Sequence, residues 1–65
     1  MALRDFYGKH VLIAAIDGKV FYGLVDEYIF AEDNNNNEES IVLKTYSGDL
    51  IEFINSAIKN IKETD

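Results

Sequence analysis

The pair Asp17-Gly18 separates two runs of β-forming residues, VLIAAI before it and KVFYGLV after it. No other feature restricts the fold of this chain so strongly. An Asp-Gly step between apolar runs supplies the left-handed backbone of a tight hairpin and few alternatives to it. Residues 9–16 and 19–31 are therefore read as two antiparallel strands. Gly23 falls in the middle of the second, where a glycine marks a bend or bulge and lets one strand serve both sheets of a small barrel. The first strand is apolar on both faces, with Val11, Ile13 and Ala15 on one and Leu12, Ala14 and Ile16 on the other. A lone sheet with one face in water alternates instead. The second face thus needs a cover: N-terminal turns, a second layer or another subunit.

The rest of the chain continues in strands. Residues 32–39 read EDNNNNEE, four Asn and four acids that disfavour a strand, and are expected to form a solvated, mobile loop. Residues 40–46 return as a strand with Ile41, Leu43 and Thr45 on one face. Ser47-Gly48 makes a second tight turn, and residues 50–54 form the next strand. Leu50, Glu52 and Ile54 keep a period of two up to Asn55, which excludes one helix across 50–61. A one-turn 3₁₀ corner at residues 55–57 fits the break better, followed by a last strand over 58–63. Residues 1–7 are expected to make one or two helical turns closed by Gly8, with Leu3, Phe6 and Tyr7 on one face. The result is an all-β chain: a five-stranded SH3-like small barrel with a short N-terminal helical turn, one domain over 1–65.

At 65 residues without cysteine, the chain has no disulfide to compensate for a small core, and such chains rely on a regular core or on oligomerisation. Its 48% hydrophobic content, 12% aromatic, is enough for an ordered domain. The longest apolar run, residues 11–16, is too short to cross a bilayer, and residues 1–10 carry Arg4, Asp5 and Lys9, unlike a signal peptide. A cytoplasmic setting is the expectation.

Catalytic chemistry has little to stand on. His10 is the only histidine, no serine sits in a nucleophile-elbow context and no glycine-rich phosphate loop exists. Asp26 and Glu27 are expected to alternate to opposite faces of a strand and so not to act on one substrate. The Asn-rich loop offers oxygen ligands but lacks the spaced acids and central glycine of an EF-hand. The expectation is a binding protein, not an enzyme, with no metal and no cofactor.

The stretches GKHVLIAAIDGKVFYGLVDEYIF, SIVLKT and LIEFINSAIKNI, taken in order, resemble an Sm-like protein, particularly of the bacterial Hfq branch. There, a strand ending in Asn-Gly leads to a strand with a central glycine, matched by Asp17-Gly18 and Gly23. The branch's Tyr-Lys-His-Ala-Ile corner aligns, within one residue, with Phe53-Ile54-Asn55-Ser56-Ala57-Ile58. The resemblance covers roughly residues 8–62. It implies a ring of six or seven protomers joined at exposed strand edges, with uridine-rich RNA held near the pore. Carried onto this chain, the implied RNA-binding residues are Tyr28 and Phe30 near the loop and Asn55 and Ser56 at the corner. An aromatic would stack on a base, and Asn55 or Ser56 would bond its edge.

The chain departs from that pattern at the cations. The Lys-His pair of the corner is Asn55-Ser56 here, and the Sm Arg-Gly signature is absent. Six acids and no base lie between Lys19 and Lys44, and the formal net charge is -6, which repels phosphate at long range. Two further readings stay open. Tyr22, Tyr28, Phe30 and Phe53 at strand spacing serve a core or an interface as readily as a stacking platform. Asn55 and Ser56 satisfy backbone groups at a tight corner as readily as they read a base. The partner classes are therefore copies of the chain itself, single-stranded RNA, or, for an acidic SH3-like interaction module, a basic protein; no membrane is implied.

Overall fold

The computed structural model describes residues 2–64. Five strands, β1 (His10–Ala15), β2 (Val20–Ile29), β3 (Ser40–Thr45), β4 (Leu50–Ile54) and β5 (Ile58–Glu63), form one antiparallel sheet in the order β4-β3-β2-β1-β5. Short 3₁₀ turns at Leu3–Phe6, Ala31–Asp33 and Asn55–Ala57 complete the described elements. Among the described residues, no helix is long and apolar enough to cross a membrane.

Both hairpins follow from their turn residues. The Ala15 N–H bonds the Lys19 carbonyl at 2.8 Å, the Gly18 N–H bonds the Ala15 carbonyl at 3.0 Å, and Gly18 takes a φ of +90°. That is a type I turn followed by a left-handed residue, the three-residue hairpin that a glycine at this position favours. The Asp17 carboxylate accepts from the Lys19 N–H and holds the turn closed.

One face of the sheet builds the core. Val11, Ile13, Ala15, Val25, Ile41, Leu43 and Phe53 are buried on it, and Leu3 and Phe6 of the N-terminal turn cap it. The turn therefore covers the core face of the sheet. Leu12 and Ala14, on the other face of β1, remain half-buried, and Ile16 is exposed. The expected helical segment begins at Met1, outside the described residues. Tyr7, expected beside Leu3 and Phe6, is 61% exposed instead. The 3₁₀ turn ends at Phe6, and Tyr7 leaves it with a non-helical ψ of 131°, off the face that positions 3 and 6 share.

Gly23 is not where the long strand bulges. Pairing runs through it without a break, Val11 to Gly23 to Thr45, and a side chain there would strike the Lys44 carbonyl and come within 3.1 Å of the Thr45 Cα. The glycine permits close approach of β3. The bulge lies at Asp26, where the register with β3 shifts between Val25 and Glu27. This corrects the expected alternation of Asp26 and Glu27. Between buried Val25 and core-packed Tyr28 stand two residues instead of one, and both are exposed.

The corner decides the shape. In a flat five-stranded sheet, β4 and β5 would lie about 19 Å apart. The chain steps from Ile54 to Ile58 through three residues, which reach about 14 Å at full extension. The sheet must curl enough to bring the end of β4 and the start of β5 within that reach. The corner bonds both sides, its Asn55 N–H to the Glu39 carbonyl at 2.9 Å and its Ala57 carbonyl to the Ile16 N–H at 3.0 Å.

Candidate functional site

The last residues of β2, the Asn-rich loop and the corner meet at one end of the sheet. Tyr28 packs against the core while its hydroxyl donates to Glu39 Oε1 at 2.7 Å. Phe30 follows two residues later and stands 52% exposed, its ring edge-on to Tyr28 at 5.2 Å. This T-shaped arrangement suits the opposed charge of ring edge and ring face. Tyr28, Phe30 and Asn55 line one open groove of about 420 Å³ together with Glu32, Asn37, Glu38 and Glu39. Three of the four residues expected in an RNA site are thus brought together.

Ser56 is beside them but already engaged. Its N–H donates to Glu38 Oε1 at 2.9 Å and its hydroxyl to Glu38 Oε2 at 3.0 Å. Both Glu38 oxygens are used, so one carboxylate caps the corner and ties the loop to it. For Ser56, the backbone-satisfying role is the one that the structure displays.

The loop carries bonds at its two ends, while Asn35, Asn36 and Asn37 between them are exposed, as expected from its composition. Asn34 Nδ2 donates to the Glu38 carbonyl at 2.6 Å and to Ser40 Oγ at 3.0 Å. Ser40, fully buried, donates in turn to Glu52 Oε2 at 2.8 Å. A buried hydroxyl is costly unless bonded, and here both its functions are used. Asn34 thus bridges the two ends of the turn, in which Asn37 takes the left-handed backbone with φ 58°.

Electrostatically the groove is acidic. Glu32, Glu38 and Glu39 line it without a cation. The hydrogen bond to Glu39, then desolvation and the Glu39 charge, hold the Tyr28 phenol above its ordinary value of 10, with Arg4 pulling weakly the other way. Tyr28 stays a neutral donor across physiological pH. Among the described residues, no group of three or more His, Cys, Asp or Glu is arranged to hold a metal ion.

The remaining aromatics separate. Phe53 is core, edge-on to Phe21 at 5.0 Å, and belongs to no platform. Tyr22 turns to the other face of the sheet, where it meets Tyr46 at 5.1 Å, and His10 stacks on Tyr46 at 6.4 Å. Sequence reasoning missed Glu38 and Glu39 as the residues that build the groove. Their partners lie 18 and 11 positions away, and no local pattern announces such a bond.

Compared with known proteins, the chain matches no family model, no curated protein and no solved structure.

Proposed function

We propose that the chain is a non-enzymatic Sm-like small barrel of the cytoplasm that assembles with copies of itself into a ring and holds single-stranded RNA weakly at the corner groove. The observation that carries this reading is the pair of unpaired edges at the two ends of the strand order. Hydrogen-bonded and non-hydrogen-bonded pairs alternate along an antiparallel ladder. The Thr45 N–H to Asp49 and Asn55 N–H to Glu39 bonds fix that alternation for β4. It leaves the backbone groups of Leu50, Glu52 and Ile54 aimed outward. The Thr64 N–H to His10 bond does the same for β5 and leaves Ile61 and Glu63 outward. The edges also differ in charge: β4 contains Glu52 and no base, and β5 contains Lys59 and Lys62 against Glu63. Pairing β4 of one copy with β5 of the next uses two different surfaces and generates a closed ring when the rotation closes.

Phe30 supplies a stacking face and Asn55 an amide for a base edge. Without cations in the groove, such binding is weak and depends little on salt. Light scattering is expected to give six or seven times the protomer mass, and a monomer at high concentration overturns the ring. A uridine-rich oligonucleotide is expected to bind with a shallow salt dependence, and Asn55→Ala to weaken it. No binding at low salt removes RNA from the reading.

A second reading, an acidic interaction module for a basic protein, is favoured by one specific observation. Asp5, Glu27, Glu32, Glu38 and Glu39 line the two grooves that flank Tyr28 and Phe30.

A further inference from the structure

The Tyr28–Phe30 pair is a wall with a groove on each side. The larger, an open groove of about 530 Å³, lies toward the N-terminal turn and is lined by Arg4, Asp5, Tyr7, Glu27, Tyr28 and Phe30. Its residues come from distant parts of the chain. The 3₁₀ turn is anchored by buried Leu3 and Phe6, which leaves Arg4, Asp5 and Tyr7 on its outside. The bulge at Asp26 sets the phase of the following residues, with exposed Glu27 beside core-packed Tyr28. Tyr7 is 61% exposed, and no other ring among the described residues stacks on it.

We infer that this groove binds the cationic side chain, arginine or lysine, of a basic peptide segment in a partner protein. The inference rests on the second reading above, the acidic surface meeting a basic partner, and names its site. Aromatic faces attract a guanidinium or ammonium through the ring quadrupole, most strongly when neighbouring groups help to desolvate it. Tyr7, Tyr28 and Phe30 provide the rings. Asp5 and Glu27 provide opposite charge in the groove itself, and Glu32, Glu38 and Glu39 extend the negative field behind the wall. Arg4 is the one cation in the groove. It opposes a cationic guest, and this gives the site a signature: removing Arg4 strengthens binding. An anion site would behave in the opposite way.

The test is fluorescence anisotropy of a labelled octapeptide of alternating glycine and arginine, with a glycine–glutamate octapeptide as control, at low salt. The arginine peptide is expected to bind. Phe30→Ala and Glu27→Gln, both at exposed positions, are each expected to weaken it about three- to tenfold. Arg4→Gln is expected to tighten it. If the peptide binds and neither Phe30→Ala nor Glu27→Gln changes its affinity, this site is overturned while the acidic-module reading stands. If Arg4→Gln abolishes binding, or the glutamate peptide binds better, the groove takes anions and the inference fails. No binding of the arginine peptide at all overturns both the site and the reading beneath it.

Discussion

Gly23 shows how much one hydrogen atom can decide. Its Cα sits between Val11 on one neighbouring strand and Thr45 on the other, and a methyl group there meets Lys44 and Thr45 backbone, which cannot swing aside. Gly23→Ala is expected to destabilise the fold by about 2 kcal/mol, the cost of forcing extra volume into a packed sheet. Gly18→Ala meets open space and carries only the strain of its φ of +90°, about 1 kcal/mol. Urea denaturation of the two variants should rank them in that order, and the reverse order contradicts the close approach. From the sequence, Gly23 was legible as special, as the place of a bend or bulge; the bulge lies instead at Asp26. A bulge and a steric contact both select glycine, and only the position of β3 distinguishes them.

Among the elements, the corner Asn55–Ala57 depends on a loop that looks featureless in the sequence. Glu38 accepts both bonds from Ser56, and the Glu39 carbonyl receives the Asn55 N–H. Glu38→Ala is expected to speed amide hydrogen exchange at Ser56 severalfold while leaving the protection of Ile13 in the centre of β1 unchanged. Equal loosening at both places would show that the latch is not local. The corner itself was legible, because the strand-like run LIEFI over residues 50–54 stops at the turn-favouring pair Asn55-Ser56. The latch was not, since a run of Asn and Glu satisfies water as well as it satisfies a neighbouring chain segment. What selects the second outcome is the buried Ser40 hydroxyl, which needs Asn34 and Glu52 as partners.

For the whole molecule, the curl of the sheet and its two open edges carry the proposal of a ring. Leu50 is the first residue of β4, 63% exposed, with its N–H aimed away from β3. Proline is tolerated at the start of an edge strand but removes a donor from any strand that pairs there. If the proposed ring forms, Leu50→Pro is expected to reduce it to monomers with an unchanged circular dichroism spectrum, as followed by light scattering. An oligomer that persists places the interface elsewhere. The same scale explains the acidity. The charges that oppose phosphate at the groove are neighbours of the two aromatic rings, and they favour a cationic partner for the same Coulombic reason.

The presence of five strands, both glycine turns and the corner was legible in the sequence alone, because each rests on local backbone preference, above all φ at Gly18 and Gly48. The second strand, expected to run to residue 31, ends instead at Ile29, and Ala31–Asp33 forms a 3₁₀ turn. The tertiary structure decided which groups meet. It placed the bulge at Asp26, turned Asp26 and Glu27 both outward, gave Ser56 to Glu38 and gathered Tyr7, Tyr28 and Phe30 around one groove. Those outcomes depend on the curl of a sheet whose edges are joined by three residues. Curl brings together side chains that are distant in sequence, and no local periodicity encodes it.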